Sequence, residues 1–167
     1  MQSGSRDIRK RIIQNAYPAR LDPGISAIDI PAIATVIVTS EKPTHPIELI
    51  FDGKRGPGAS RWQAATPGQQ GLILDFDKPQ TLRQLVVDIE ETEVSRTQVL
   101  WVSVSSDGGH SYRELIRQEY NFSPPGTTYE CETWSIDALH TTHFAITIVP
   151  DKNGQPAYAS MISLILT

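Results

Sequence analysis

The stretch Val102-Ser103-Val104-Ser105-Ser106-Asp107-Gly108-Gly109 decides the fold. Its first four residues alternate apolar and polar side chains, which is the pattern of a β-strand with one buried face. The Asp107-Gly108 pair then supplies the positive φ angles that a two-residue hairpin turn requires. We therefore predict antiparallel strands on either side of this turn, and we assign Asp107 and Gly108 a structural role.

A second signature, Phe51-Asp52-Gly53 followed by Trp62, lies earlier in the chain. The Asp-Gly pair predicts a sharp change of chain direction. Trp62 is then placed to plug one end of a barrel, because its large ring system buries much apolar surface. Together the two signatures indicate a short-stranded antiparallel β-sandwich around one buried tryptophan. Loops on such a sandwich usually bind something.

From residue 32 onward, apolar side chains recur with a period of two. Turn residues separate the alternating segments, and no helical pattern lies between them. Such an arrangement favours a sandwich over a parallel α/β sheet. The segments are 34–39, 72–77, 85–89, 100–105, 144–148 and 162–166, and the turns are Asp77-Lys78-Pro79, Asp107-Gly108-Gly109, Ser123-Pro124-Pro125-Gly126 and Asp151-Lys152-Asn153-Gly154.

The length of 167 residues fits one hydrophobic core. We divide the chain into an N-terminal basic helix and wrapping segment, residues 1–31, and a sandwich domain, residues 32–167. A helix from Ser5 to Tyr17 has a narrow apolar face and a basic polar face. It is either a solvated arm, a helix packed on its own acidic domain, or a docking helix for a membrane surface or partner. Prolines then interrupt the pattern and leave room for one short strand, Ile25 to Ile30.

The formal net charge of −4 is unevenly distributed. Residues 1–20 hold five of the 15 Lys and Arg and one of the 19 Asp and Glu, which leaves 10 minus 18, or −8, for the remainder. An acidic surface repels a polyanion, so general nucleic-acid binding is not expected. The sequence contains neither the apolar run of a signal peptide nor a membrane span. We expect a soluble chain, cytoplasmic as given, and leave its localisation open.

Several short motifs, taken in order, resemble the discoidin or coagulation-factor C-type superfamily, whose fold is the galactose-binding-like jelly roll. The resemblance covers residues 32–167 and implies that Trp62 belongs to the core. The stretch Gln118 to Gly126, followed by Glu130 to Trp134, is similar to bacterial members that sit near carbohydrate-active proteins. The motifs are Ala34 to Ser40, Phe51-Asp52-Gly53, Ser60-Arg61-Trp62, Gly71 to Phe76, Val102 to Gly108, and Ala159-Ser160 before the last apolar strand.

Many members of the superfamily hold one structural calcium ion beside the Asp-Gly turn. The resemblance implies Asp52 and Ser60 as its candidate ligands here, and oxygen ligands suit such a hard cation. The last strand, residues 161–166, has no acidic residue, and Ser163 stands where relatives have a glutamate. We therefore keep calcium as a candidate structural ion and expect no other cofactor.

In relatives, the ligand meets the loops at one end of the barrel, and the loop from the Asp-Gly turn to the tryptophan often contributes. Sugar recognition needs an aromatic face for the C–H side of the ring and planar groups that bond to hydroxyls. Residues of both kinds occur in the expected loops, and we predict that they bind ligand. These candidates are Arg55, Arg61, Arg96, Tyr120, Asn121 and Tyr129.

Enzymatic activity is not expected. Acidic pairs such as Asp75 and Asp77, or Glu130 and Glu132, could each share one face of a strand. The same acids are also what a solvated sheet face needs. No pair is accompanied by a Ser-His nucleophile or a Gly-rich phosphate loop.

The histidines and the single cysteine are also poor candidates for chemistry. His140 and His143 lead into a strand, where positions three apart face opposite sides, so they are not expected to share a metal ion. Cys131 has no partner for an internal disulfide. Its neighbours Glu130 and Glu132 would raise the pKa of its thiol and make it a weak nucleophile.

Two functions from different classes follow. The leading hypothesis is a noncatalytic module that recognises carbohydrate through loops at one end of the sandwich. The alternative is an intracellular protein-interaction scaffold with the same fold, as in the N-terminal domain of a DNA single-strand-break-repair scaffold. The unpaired cysteine and the missing signal peptide favour this alternative. The expected partner is therefore a carbohydrate or a protein.

Overall fold

The structure, a computed structural model, describes residues 26–167, and the predicted helix from Ser5 to Tyr17 lies outside them. In the described part, β-strands dominate and helices are confined to two short turns. The elements are helix α1 (Ile30–Ile33), a 3-10 segment (Ile47–Phe51), and the strands β1 (Ala34–Val38), β2 (Trp62–Gln63), β3 (Gln70–Glu90), β4 (Arg96–Ser105), β5 (Arg113–Phe122), β6 (Tyr129–Val149), β7 (Ser160–Met161) and β8 (Ser163–Leu166).

Every strand pair of the described residues is antiparallel. The main sheet has the order β1-β3-β6-β4-β5, with β8 pairing to β3, and β2 pairs with β7 separately. Adjacent strands in this order are mostly distant in sequence, which is the result of crossovers in a jelly roll rather than a simple meander. The predicted all-β antiparallel sandwich is confirmed.

The long strands β3 and β6 each have 21 residues and contribute to both layers of the sandwich. A straight strand of that length would measure about 70 Å, whereas a domain of this size has a radius of gyration of only about 15 Å. The strands therefore bend, and the register between them shifts in the stretch from Asp75 to Gln84. Before the bend β3 pairs with β1, and after it β3 pairs with β8.

The predicted turn at Asp77-Lys78-Pro79 falls on this bend, and its form differs from the prediction. The chain does change direction there, but as part of one continuous strand instead of a loop between two strands. The reason is that β6 follows β3 around the corner and pairs with both halves.

The alternating segments provide the core as predicted. Their inward residues, including Leu74, Leu85, Leu100 and Phe144, are fully buried in one cluster. Trp62 is also fully buried, and its indole Nε1 donates a hydrogen bond to the carbonyl of Ser40 at 3.0 Å. The core assignment of Trp62 is confirmed.

The connection between β4 and β5 corrects the predicted two-residue hairpin. It spans residues 106–112, and Gly108 and Gly109 do take positive φ angles of 76° and 85°. The Asp107 carboxylate accepts hydrogen bonds from the Ser105 hydroxyl at 2.6 Å and from the Ser111 amide at 2.9 Å. These bonds hold the pKa of Asp107 well below its usual range. The side chain, rather than a tight turn, organises the loop.

Both ends of the bent strand β3 lie at the same end of the sandwich, which we call the loop end. Gln70 accepts a hydrogen bond from the Ser40 hydroxyl, and the Ser40 carbonyl bonds to Trp62. The neighbouring Arg61 pairs with Glu90. This chain of contacts joins the first residue of β3 to its last residue.

The first and last described residues are attached farther along β3. The carbonyl of Thr167 accepts a hydrogen bond from the Arg83 amide at 2.6 Å, and the Ile28 amide donates to the carbonyl of Leu166 at 2.8 Å. Ile30 is buried in the same core. Between residues 26 and 167, no helix has the length and apolar character that a membrane crossing needs.

Candidate functional site

A polar groove of about 580 Å³ lies at the loop end of the sandwich. Its walls come from four segments that are distant in sequence, namely 42–45, 61–63, 90–94 and 156–160. We call it the end groove. The groove is a concave site with polar walls at one end of a rigid sandwich, where the sequence predicted ligand-binding loops.

Tyr158 and Lys42 give the end groove an aromatic surface beside a cation. The Tyr158 side chain is 40% exposed, and the Lys42 Nζ atom lies 4.4 Å from the centroid of its ring. The Lys42 amide donates to the Gln63 carbonyl at 2.9 Å, which holds the residue against the wall. Among residues 26–167, Lys42 has no acidic partner. The contact of the Lys42 ammonium with the Tyr158 ring is therefore made without a competing ion pair from this part of the chain.

His45 lies on the same wall, one turn from Lys42. The His45 amide donates to the Lys42 carbonyl at 2.9 Å, and the His45 carbonyl accepts from the Gln63 amide at 3.1 Å. Its ring Nδ1 lies 2.8 Å from the Thr44 hydroxyl. From the sequence this histidine was a poor candidate for chemistry, and Lys42 and Tyr158 were not among the predicted ligand residues. The available signal was the position of Tyr158 directly before Ala159-Ser160.

Arg61 is the one predicted ligand residue that lines the end groove. Its guanidinium pairs with the Glu90 carboxylate and also donates to the Glu90 carbonyl at 3.3 Å. Glu90 is only 5% exposed and accepts a further hydrogen bond from the Gly58 amide at 3.1 Å. The Arg61 side chain keeps 22% of its surface exposed. One edge of a fixed guanidinium therefore faces the groove.

Arg55 and Tyr129 meet behind the groove at a buried carboxylate. The Arg55 guanidinium pairs with Asp88, which is 1% exposed, and the Tyr129 hydroxyl donates to Asp88 at 2.6 Å. The Gly56 amide adds a long contact of 3.4 Å to the same carboxylate. Burial and the bond to Asp88 raise the pKa of Tyr129. The structure thus gives both predicted ligand residues internal partners, away from the groove.

Cys131 belongs to the same cluster. Its Sγ atom lies 3.2 Å from the Arg55 Nη2 atom. The pKa of the thiol is raised, as the sequence predicted, but the causes are burial and the charge of Asp88. The flanking residues Glu130 and Glu132 were the predicted causes, and that part of the prediction is wrong.

Arg96 and Tyr120 lie in β4 and β5, which corrects their predicted placement in loops. Each is 4% exposed. Arg96 donates to the Glu91 carboxylate at 2.9 Å and to the Pro150 carbonyl at 2.5 Å. Tyr120 and Phe122 are two residues apart and share the inward face of β5, which explains the burial of Tyr120. A ligand cannot reach either side chain without displacing core contacts.

Asn121 and Glu91 have different surroundings. Asn121 is exposed on β5, does not line the end groove, and accepts a hydrogen bond from the Thr97 hydroxyl at 2.8 Å.

Glu91 accepts hydrogen bonds from the amides of Glu93 and Val94, both at 2.9 Å. Burial alone would raise the pKa of Glu91, but these amides and Arg96 outweigh it, and the pKa is lowered. Glu91 thereby shapes the 91–95 loop on one wall of the groove.

Asp52 and Ser60, the candidate calcium ligands, bond to each other. The Ser60 hydroxyl donates to one carboxylate oxygen of Asp52, and the Lys54 amide donates to the other at 2.8 Å. Calcium takes roughly six to eight oxygen ligands, and Asp52 and Ser60 supply two side chains toward such a set. Ser163 shares a hollow with Arg55, whose fixed positive charge disfavours a second cation. The described residues contain no group of three or more His, Cys, Asp or Glu that could hold a metal.

Comparison with known proteins identifies the fold. No family model and no curated protein matches the chain. The family 32 carbohydrate-binding module of AlyQ, in complex with 4,5-unsaturated mannuronic acid, has a TM-score of 0.60 and 21% identity over 86% of this chain and 98% of its own. The family 32 module from C. perfringens NanJ, in complex with galactose, has a TM-score of 0.58 and 17% identity over 84% and 96%.

An F5/8 type C domain from Bacteroides fragilis is similar to the same extent. Its TM-score is 0.56 and its identity 16%, over 84% of this chain and 94% of its own. At such low identity the likeness establishes the fold alone. The chain therefore has the galactose-binding-domain-like jelly roll that its sequence motifs predicted.

Proposed function

We propose that this chain is a noncatalytic carbohydrate-binding module that holds its sugar in the end groove. The observation that carries the proposal is the Tyr158 ring, 40% exposed, in a groove of hydrogen-bonding side chains, with the Lys42 ammonium over one face of the ring. An aromatic ring provides a platform for the apolar C–H face of a sugar, and polar groups around it bond to the hydroxyls.

The polar groups of the end groove suit a sugar with many hydroxyls. Lys42 supplies N–H donors, Gln63 supplies both donors and an acceptor, and Glu93 supplies carboxylate acceptors. Arg61 is fixed by Glu90, so its orientation is set before a ligand arrives. Fixed groups lose little conformational entropy when they bind, and this favours affinity.

The charges at the groove nearly cancel. Arg61 pairs with Glu90, and Arg96 pairs with Glu91 from behind the wall. Lys42 and Glu93 carry the remaining opposite charges of the lining. A groove without a dominant sign fits a neutral sugar better than a polyanion.

The structural neighbours support the class of ligand. Their names describe modules in complex with mannuronic acid or galactose, and a further neighbour is a pectin-binding module with a TM-score of 0.56 and 15% identity. These ligands belong to those proteins. What supports sugar binding in this chain is the shared fold together with its own groove and exposed tyrosine.

A glycan array followed by calorimetry tests the proposal. We expect saturable binding to at least one neutral glycan and a loss of affinity of about fivefold in Tyr158→Ala, because a ring contact contributes about 1 kcal/mol. Leu139→Ala is the matched control, since Leu139 is 59% exposed and lies outside the groove. No glycan signal, or equal binding by Tyr158→Ala, overturns the proposal. A specific co-purified protein would then favour the scaffold alternative.

A further inference from the structure

A second hollow, of about 550 Å³, lies on the outer face of the main sheet. Residues of β1, β3, β4 and β6 line it, together with Gln69 and Tyr112. We call it the sheet-face trough. Its volume falls within the roughly 300–1,000 Å³ of small-molecule sites. None of its lining residues is charged.

The exposed apolar side chains of the protein gather in the two hollows. Five large apolar residues in the described part are exposed by 40% or more. Val94 and Tyr158 line the end groove, and Ile37 and Tyr112 line the trough. Only Leu139 lines neither. Exposed apolar side chains that cluster in concave sites mark binding surfaces, whereas scattered ones need no explanation.

Small residues form part of the floor of the trough. Ile73 pairs with Ala145, and Ala145 pairs with Ser103 on the next strand, so two of the three side chains in this row are small. Gly71 lies beside this row, and a Cβ atom there would come within 2.8 Å of the Ile146 carbonyl oxygen. Glycine is therefore required at this position. Ile37 on β1 and Tyr112 beyond β4 rise on opposite sides of the floor.

Four polar side chains of the trough are available to a ligand. Gln69, Ser103, Tyr112 and Thr147 make no side-chain hydrogen bond to another residue in the part of the chain that the structure describes. Unpaired hydroxyl and amide groups above an apolar floor match the two surfaces of a sugar ring. A purely apolar partner, such as a lipid chain, would leave these groups without bonds.

Charge near the trough argues for a neutral ligand. Asp75 follows Ile73 on the same face of β3, and its carboxylate lies 3.4 Å from the His143 ring. Burial and the negative charge of Asp75 both raise the pKa of Tyr112, which places that charge close to the trough. An anionic sugar would be repelled there.

A third hollow lies beside both the trough and the end groove and shares a lining residue with each. That hollow is lined by Pro67, Gly68, Gln69 and Pro156, among others. Pro156 also lines the end groove, and Gln69 also lines the trough. Three neighbouring hollows therefore lie in a row from Tyr158 over the 67–69 segment to the sheet face. A chain molecule can follow such a row, whereas a single sugar cannot fill it.

We propose that an uncharged glycan chain held in the end groove continues over the 67–69 segment into the sheet-face trough. This inference rests on the proposed function. It makes the preferred ligand an internal stretch of a neutral oligosaccharide or polysaccharide instead of one terminal sugar.

Calorimetry with neutral oligosaccharides of two and of six units, taken from the series that binds best on the array, tests the inference. We expect the six-unit chain to bind about tenfold more tightly, through added ring contacts in the trough. Tyr112→Ala and, independently, Ile37→Ala should remove most of this gain and leave the two-unit affinity unchanged. Tyr158→Ala should weaken both chains, and Leu139→Ala should weaken neither. Melting temperatures verify that the variants are folded.

Three outcomes would overturn the inference. Equal affinity for both lengths, with Tyr112→Ala like wild type and Tyr158→Ala defective, overturns the trough and leaves the end groove intact. A wild-type protein that binds no glycan overturns both proposals together. A change of oligomeric state in Ile37→Ala or Tyr112→Ala, measured by analytical ultracentrifugation, would make the trough a contact between protein copies and also overturn the inference.

Discussion

Arg55 and Asp88 form an ion pair in which the carboxylate is 1% exposed and the arginine side chain 14% exposed. Two residues farther along β3, Glu90 pairs with Arg61. Asp88 and Glu90 alternate with Ile89, so they share one face of the strand. The 55–61 segment, which leads into one wall of the end groove, is therefore attached to β3 at two points.

Removing the inner carboxylate should destabilise the fold strongly. Asp88→Asn leaves the Arg55 guanidinium without its charged partner, and breaking a buried pair on one side costs about 3–5 kcal/mol. Urea denaturation measures the change in unfolding free energy. The matched control is Glu114→Gln, because the Glu114–Arg117 pair is about half exposed and its loss should lower the unfolding free energy far less. Equal losses of unfolding free energy in the two variants would contradict a buried, stabilising ion pair between Arg55 and Asp88.

Calcium should not affect stability. The candidate ligands Asp52 and Ser60 bond to each other, and the loop is held by arginine–carboxylate pairs instead. We expect the melting temperature to be the same in excess EDTA and in millimolar calcium chloride. A protein that binds calcium only in its folded state would melt at a higher temperature when calcium is added. A rise of that kind would restore the calcium site.

The Cys131 thiol should react slowly at neutral and mildly alkaline pH. Burial and the Asp88 charge raise its pKa above the ordinary value of 9.0, so little thiolate forms there. The rate of reaction with a disulfide reagent, followed from pH 7 to pH 10 beside glutathione as a free thiol, measures this. A rate at pH 8 as fast as that of glutathione would contradict the assigned environment.

Acid should remove the stability that Glu91 contributes. The pKa of Glu91 is lowered from 4.5 in the folded state, so its contribution is complete above that value and is lost as the pH falls through the lowered pKa. Denaturation of wild type and Glu91→Gln between pH 7 and pH 3 should show a difference that shrinks below pH 4.5. A difference that stays constant down to pH 3 would show that the Glu91 carboxylate has no preferential bonds in the fold.

The fold was predictable because its determinants are local. The alternation in segments such as 100–105 and 144–148 decides which residues face the core, and this pattern does not depend on the partner strand. The bends of β3 and β6 were not predictable. Pro79 alone indicates a turn between two strands, and only the pairing of β6 with both halves of β3 shows that the strand continues around the corner. The connection at 106–112 is also longer than the predicted two-residue turn. The Asp-Gly pair alone does not show that the Asp107 side chain organises a longer loop.

The site was less predictable than the fold. Arg61, which lines the end groove, could be selected from the sequence because it lies next to Trp62 in a recognisable motif. Arg96 and Tyr120 were misplaced, since their burial depends on Pro150 and on the inward face of β5. Tyr158 was not selected because it is a candidate only through its contact with Lys42, which is remote in sequence.

Because Thr167 bonds to Arg83, the last residue sits about 20 Å back along β3 from Glu90 and the end groove. The Ile28 amide bonds next to it, at Leu166, so both termini of the described part leave from the same region. A biotin tag or fluorophore attached after Thr167 is therefore separated from the end groove by this part of β3. Protein captured on a biosensor chip through such a tag will display its groove to the flowing sample.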